Sequence, residues 1–598
     1  MHPEIVDRIV VPRFAGVRPN ARGFPRHVAA LGLAGVVVRG SVAAVASAPA
    51  EGGPASVAMV TARGALARML APIREAMRRR RKPTVIAGAH DLGMLLGAAL
   101  YPHVRPWTVR AAKNGTVEVD GAVLEWWAGA TWFARLRAGR SSALLFDVGR
   151  FFGQDLSAAV QTVGAPWRDV PRPEGYGERR LGVRAVGPVV ARDAEATAGL
   201  VGAVLRWHRE RDLYPSVSIA QLSMRYFRHR YLRRRWQAVP PQVLEAALLA
   251  YHGGRSALYV PPGWVRVTAL DMRAAYGWAM AMLPPLADGR WERVTRWAGP
   301  WAFYRLTGGT VYQGRYPLLY SHDYRPLPSG MVTEPVWVSG VELEAAREAG
   351  VIQGARYWGY VWRPTSLDRP LRRYVLECWR KRNRAKTEEA RTLWKLLVVS
   401  LYGKFAAKLE ADGDDAADLT GDESLRARGP NGVLLAGGQF YPPAAAWITA
   451  LVRVRLWRRE WTETSLHTAT DGMLVVAGTS YESSDALGGW RVDGENLWAL
   501  LLRYNLYGLF DAGGRLVKLA AQGFYGTPAD FVEMVRCGKA QYVLHRARGW
   551  IEAAAAGRKP YVPEATEFAV RAGVSGFWPP PMGKIILPGP GGDTVIEG

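Results

Sequence analysis

Between Lys381 and Phe405 the chain reads KRNRAKTEEARTLWKLLVVSLYGKF. Arg384, Arg391, Lys395 and Tyr402 stand at relative positions 0, 7, 11 and 18 within it. At 3.6 residues per turn those offsets share one face of a helix. The spacing predicts a single helix with three cations and a ring on one side, and with Leu396, Leu397 and Val398 turned to a core. Two readings follow. The stripe is a solvated surface, or it neutralises a triphosphate while that group reacts.

Charge across the chain favours a polyanion. Lys and Arg number 78 against 52 Asp and Glu in 598 residues, a formal charge of +26. Nucleic acid is the commonest large polyanion, with a merely basic surface or attraction to a membrane surface as the alternatives. The excess is spread along the sequence, which suits a long groove better than a detachable tail. At 49% hydrophobic residues the chain reads as globular, with length for about three to five domains. Cys378 and Cys537 have no partners at metal-ligand spacing, which speaks against a cysteine zinc site, and nothing supports a disulfide. The opening MHPEIVDRIVVPRF puts charges where a signal peptide needs an apolar run, and the apolar stretch 29–38 is too short for a bilayer. The expectation is a soluble intracellular protein without a membrane partner.

Short Val/Ala runs in 1–60, a helix at 63–80, a strand at 83–90, another at 141–152 and a helical stripe at 191–207 predict an α/β first domain. The Pro/Gly-rich piece 167–180 reads as a loop. Segment 206–236 interleaves Arg206, Arg209, Arg211, Arg225, Arg228, Arg230, Arg233, Arg234 and Arg235 with Tyr226, Phe227, Tyr231 and Trp236. Such a mixture holds phosphates and stacks on bases, or it is a solvated helix face. The acidic 406–440 piece reads as an exposed insertion or hairpin, and the last 40 or so residues as a small extended lobe or tail.

Two carboxylates sit where strands end. In WVRVTALDMRAAYGWAM (264–280), Val265, Val267 and Ala269 alternate with Arg266 and Thr268, and the strand runs out at Asp271. Asp271 either caps the following helix or holds a hard cation such as Mg²⁺ through oxygen. Tyr276 follows five residues on. SLHTATDGMLVVAG (465–478) reads as a β-hairpin with Thr470-Asp471-Gly472 at its tip, either a plain turn or a second ligand.

These three segments resemble, in order, the three polymerase motifs of family B DNA polymerases. DMRAAYGWAM is similar to Asp-x-x-Ser-Leu-Tyr-Pro-Ser, with Asp271 as metal ligand and Tyr276 as the ring beneath the incoming sugar; Ala274, Ala275, Gly277 and Trp278 depart from the pattern. Lys395, Ser400, Tyr402 and Gly403 match Lys-x-x-x-Asn-Ser-x-Tyr-Gly, with Lys395 on the nucleotide phosphates, Tyr402 lining the nascent base pair, and Val399 in place of asparagine. Thr470 and Asp471 match Tyr-x-Asp-Thr-Asp-Ser; His467, Ala469 and Gly472 replace its tyrosine, first aspartate and serine. Ala469 thus removes a carboxylate near the metals. Tyr251, Gly253, Gly254 and Arg255 resemble the Tyr-x-Gly-Gly motif, and Tyr507 and Lys518 lie in a segment similar to the Lys-x-Tyr hairpin, with Asn505 replacing its lysine. The resemblance implies DNA contact at these six residues, nucleotide contact at Arg384 and Arg391 also, and Mg²⁺ or Mn²⁺ held by Asp271 and Asp471.

The implied fold is α+β, a right hand after an RNase H-like exonuclease-type domain. The expected parts are that domain at 1–245, a first palm part with an insertion at 246–370, fingers at 371–405, a second palm part at 406–500 with an insertion at 406–440, and a thumb and tail at 501–598. The spacers sit where the protein-primed group carries its insertions, which implies a terminal protein as partner beside primer-template DNA and deoxynucleoside triphosphates, for a monomeric enzyme in the cytoplasm of its cell or of a host. The exonuclease motifs are degenerate. His90-Asp91-Leu92-Gly93-Met94-Leu95 matches His-Asn-Leu-x-Phe-Asp only in part, Val189 and Asp193 stand for Tyr-x-x-x-Asp, and no Asp-x-Glu occurs in the first 60 residues. Asp147 offers a displaced ligand. The alternative reading is a weakened relative that binds DNA as a replication accessory.

Overall fold

The computed structural model describes residues 23–597 apart from 26, 79–83, 105, 129–131, 233–235, 237–238, 407, 411–433, 437–439, 479–480, 525, 539–540, 570–575 and 590–592. It is a mixed α+β fold built on three main sheets.

The first sheet has eight strands. Val28–Val38, Thr84–Ala89 and Ser141–Asp147 run parallel at its centre, with antiparallel hairpins continuing it on both sides. The apolar run 29–38 is therefore a central strand. Parallel strands are covered on both faces. The helix Val183–Arg209 lies against Val28–Val38 so closely that a Cβ on Gly32 would come 2.2 Å from the Ala198 nitrogen. The expected helix at 63–80 is found as Ala65–Met77.

The second sheet is antiparallel and seven-stranded, in the order Leu516–Ala521, Leu506–Phe510, Trp490–Arg503, Gly263–Met272, Gly472–Val476, Ser465–Thr470, Arg255–Leu258. Val267, Ala269, Leu474, Leu497 and Ala499 fill one side of it. The helix Pro442–Glu463 backs the other and carries Trp447, which stacks on Phe303 at 5.3 Å. Phe303 belongs to a third, smaller sheet made by Gly289–Val294, Ile352–Pro364, Ala302–Val311, Gly330–Met331 and Val336–Ser339. That small sheet is where the spacer before 370 lies.

Within 406–440 the structure describes Ala406, Phe440 and the pairing of Lys408–Glu410 with Leu434–Ala436. The tail folds as two-stranded pairs and the short helix Trp550–Ala555. Trp550 Nε1 donates to the Ala112 carbonyl at 2.6 Å and the Tyr561 hydroxyl to that of Gly93 at 2.5 Å, tying the tail to the first sheet's helices. Among the described residues no helix is long and apolar enough to cross a membrane.

Candidate active site

Asp271 ends the central strand of the second sheet, where it pairs in register with Gly472. Asp471 occupies the tight turn next to it. Its N–H donates to the Ala469 carbonyl at 2.7 Å, and its own carbonyl accepts the Met272 N–H at 2.9 Å. Thr470 is held at φ 61°, a left-handed backbone that costs about 1–3 kcal/mol outside glycine and persists because strand pairing on both sides fixes it. Both carboxylates are thereby delivered to the same end of the sheet. Burial, and then the Asp271 charge, push the Asp471 carboxyl up to about 6, with Lys518 opposing. Asp271 is raised by burial and by Asp493, against the lowering influence of Arg491, Lys518 and Lys395.

Asp493 and Arg491 carry no motif signal. They reach the site because the strand Trp490–Arg503 pairs with the Asp271 strand, placing Arg491 opposite Asp271. Arg491 Nη2 lies 3.2 Å from Asp271 Oδ2, and its Nε lies 2.5 Å from Asp493 Oδ1.

The cation-bearing segment is two helices. Pro370–Asn383 ends with Arg384 as its C-cap, and Glu388–Val399 begins after Thr387, whose Oγ1 accepts the Ala390 N–H at 3.2 Å. Tyr402 falls beyond both, in the 3₁₀ turn Tyr402–Phe405. The expected common face of Arg384, Arg391, Lys395 and Tyr402 on one helix is therefore incorrect. A Thr cap followed by Glu388 and Glu389 starts a new helix, because side-chain oxygen and negative charge satisfy its first amides. Lys395, on the second helix, lowers the Asp271 pKa less than Arg491 and Lys518 do. Arg391 is exposed and paired with Glu388 at 2.9 Å. Burial lowers the pKa of Arg382, unremarked in the sequence, and the charges of Arg273, Arg491 and Arg391 lower it further, with Glu388 opposing. Such convergent positive charge suits an anion.

Tyr276 and Tyr402 stack with centroids 4.2 Å apart and 6° between planes. A Cβ on Gly254 would lie 3.0 Å from the Tyr276 hydroxyl and 3.2 Å from Thr470 Cα, so only glycine passes there unstrained. Gly253 beside it is exposed. Burial and neighbouring Tyr402 raise Tyr251. Tyr507 packs edge-on against His467 at 4.7 Å, and burial raises its pKa with the Lys518 charge opposing. His467 is held neutral, its pKa pushed down to about 4 by burial and by Lys518, and its Nε2 accepts the Asn505 N–H at 3.3 Å.

Arg255 is not available to DNA. Its side chain is 1% exposed and its guanidinium is committed to Glu460, the Pro317 carbonyl and the hydroxyls of Tyr320 and Tyr259. The aromatics of 206–236 are not stacking platforms either. Tyr226, Phe227 and Tyr231 are buried around Tyr374. Arg225 binds the Tyr214 and Pro215 carbonyls, and Arg211 lies over Trp394. Arg233, Arg234 and Arg235 fall outside the described residues.

In the first sheet, Asp91 caps Leu92–Leu100, Leu95 and Val189 are buried, and Asp193 is paired with Arg192 at 2.7 Å. Asp147 ends the strand beside that of Ala89. Burial, then the Asp91 charge, push it up to about 7.

No protein-family model and no curated protein sequence matches the chain. Solved structures do. Phi29 DNA polymerase complexed with primer-template DNA and incoming nucleotide substrates aligns with a TM-score of 0.62 at 13% identity, over 92% of this chain and 100% of that one. The post-translocation binary complex of phi29 DNA polymerase with primer-template DNA gives 0.62 at 14% identity over the same shares. The complex of that polymerase with single-stranded DNA gives 0.60 at 12%, over 91% of this chain and 100% of its own. The chain therefore has the fold of phi29 DNA polymerase along nearly its whole length.

Proposed function

We propose that the chain is a template-directed DNA polymerase that joins deoxynucleoside triphosphates to a 3′-hydroxyl. The observation that carries this is the meeting of Asp271 and Asp471 at one sheet end, with Arg491 paired to Asp271 at 3.2 Å. In this reading the second sheet is the palm, the helix pair 370–399 the fingers, the residues after about 500 the thumb, and the first sheet an exonuclease-type domain.

The donor set fits Mg²⁺ or Mn²⁺. Two carboxylates at one sheet end, both raised chiefly by burial, offer oxygen ligands to a hard cation, whose shell water and substrate phosphate oxygens would complete. Among the described residues no group of three or more His, Cys, Asp or Glu that could hold a metal ion occurs. When bound, they would activate the 3′-hydroxyl and offset charge on the reacting phosphate. Lys395, Arg382 and Arg391 would steady the triphosphate, Tyr276 and Tyr402 would wall the sugar and the base pair, and Lys518 with Tyr507 would hold the primer end. The fold likeness and the insertion-sized small sheet at 289–364 support initiation on a protein hydroxyl.

Mg²⁺-dependent extension of an annealed primer tests the reading. Asp271→Asn or Asp471→Asn should lower the rate by roughly 10²–10³-fold or more, while duplex binding through phosphate contacts persists. Extension at the normal rate in either variant would reject the site. A wild-type chain that binds duplex without extending it would favour the accessory reading that Ala469 and Val399 motivate.

A further inference from the structure

Arg491 stands where the proposed metal ligands need positive charge. It bridges Asp271 at 3.2 Å and Asp493 at 2.5 Å, and its side chain is 41% exposed, so these ion pairs lie open to solvent. The same guanidinium belongs to the cluster that acts on Arg382, together with Arg273 and Arg391. It therefore has two destinations: the carboxylates on one side, and an anion drawn by the arginines on the other. Asp493 explains why it rests on the carboxylate side. That residue adds a negative charge felt by both Asp271 and Asp471, in a site whose hairpin has lost a carboxylate at Ala469.

We infer that Arg491 is a tethered counter-ion of the acidic centre, displaced from Asp271 when a divalent cation loads and received by the substrate phosphates. The inference rests on Asp271 and Asp471 being the metal ligands. Its consequence is that Arg491 sets how much divalent cation the centre requires. A fixed charge next to the ligands weakens cation binding by direct repulsion and by occupying an Asp271 oxygen. An anionic phosphate that draws Arg491 away couples nucleotide binding to metal loading.

The test is Mn²⁺ binding by the full, DNA-free chain, followed by the paramagnetic resonance of free Mn²⁺. Arg491→Met keeps the side-chain stem and removes the charge; it should bind Mn²⁺ roughly tenfold more tightly than wild type. Arg491→Lys should stay near wild type, and Asp271→Asn should lose the binding. Adding a deoxynucleoside triphosphate should tighten Mn²⁺ binding in wild type more than in Arg491→Met, measured against the nucleotide's own Mn²⁺ affinity. Equal or weaker binding in Arg491→Met, with Asp271→Asn still losing it, overturns the counter-ion role and leaves the carboxylate assignment standing. Unchanged binding in all variants, including Asp271→Asn, overturns both.

Discussion

Tyr276, in the first turn after the Asp271 strand, lies flat against Tyr402 from the turn that follows the second cationic helix, with ring centroids 4.2 Å apart. The pair joins two segments distant in sequence into one wall, with Gly254 leaving room at the Tyr276 hydroxyl. If the incoming sugar sits on this ring as proposed, the ring would exclude a 2′-hydroxyl by occupying its place. Tyr276→Ala should raise the ratio of ribonucleotide to deoxyribonucleotide incorporation by roughly 10–100-fold, the discrimination that one steric contact supplies. Tyr276→Phe should keep the wild-type ratio. An unchanged ratio in Tyr276→Ala would make the tyrosine a packing residue only.

Arg255 and Glu460 form a buried pair, at 1% and 0% side-chain exposure. Removing one partner strands the other charge in the interior and costs about 3–5 kcal/mol. Arg255→Ala should lower the melting temperature markedly, while Lys518→Ala should leave stability alone and reduce the salt dependence of DNA affinity. Comparing thermal melts with salt titrations of duplex binding separates the two. A stable Arg255→Ala with a reduced salt slope would return Arg255 to the DNA surface.

The strand ends were legible because period-2 alternation into Asp271 and a Thr-Asp-Gly tip at 470–472 are local signals. The helix break at 384–387 was legible too, through Thr387 followed by two glutamates, but the recurrence of cations masked it. Arg491 and Asp493 were not, since only the register between Trp490–Arg503 and Gly263–Met272 brings them to Asp271. The burial of Arg255 was hidden for the same reason: its partner Glu460 lies on a helix in whose sequence nothing distinguishes a buried acid from a solvated one.

The Asp471 carboxyl, raised from 3.8 to about 6, has a definite consequence for pH. The folded state holds this proton more tightly than the unfolded chain does. The stability it contributes is present below the unfolded pKa and is lost as pH rises through about 6, where two like charges come to face each other. A divalent cation relieves that repulsion only once the proton has left. Mn²⁺ should therefore raise the melting temperature more at about pH 7.5 than at about pH 5, and Asp471→Asn should lose most of the difference. Equal shifts at both pH values in the wild type would detach the metal from Asp471.

Initiation on a protein predicts a covalent product. In an extract of the source, labelled deoxynucleotide should become attached to a protein through a bond that survives denaturation. The purified chain alone should extend annealed primers without forming such an adduct. Absence of the adduct from an extract that replicates DNA would leave only oligonucleotide priming.

The first sheet predicts weak or absent proofreading. Hydrolysis at a 3′ end by two metals needs several acids converging on one phosphate. The central strand Val28–Val38 carries none. Leu95 and Val189 are buried hydrophobic residues, and Asp193 is spent on Arg192. What remains is Asp91 beside Asp147. Asp91 is engaged as a helix cap, and Asp147 accepts the Gly149 N–H at 3.1 Å with Arg150 near its other oxygen. Burial, then the Asp91 charge, raise the Asp147 carboxyl to about 7, so near neutrality it is only partly ionised in the metal-free protein. Without nuclease activity the domain would serve by packing, tied to the tail through Trp550 and Tyr561. Single-stranded, 3′-labelled DNA incubated with the enzyme and Mg²⁺ or Mn²⁺, without nucleotides, should keep its length. Asp147→Asn should stabilise the protein at about pH 8, since the cost of burying that charge disappears, and leave extension unchanged. Stepwise 3′ shortening, lost in Asp147→Asn or Asp193→Ala while extension survives, would instead establish a working nuclease site built from displaced acids.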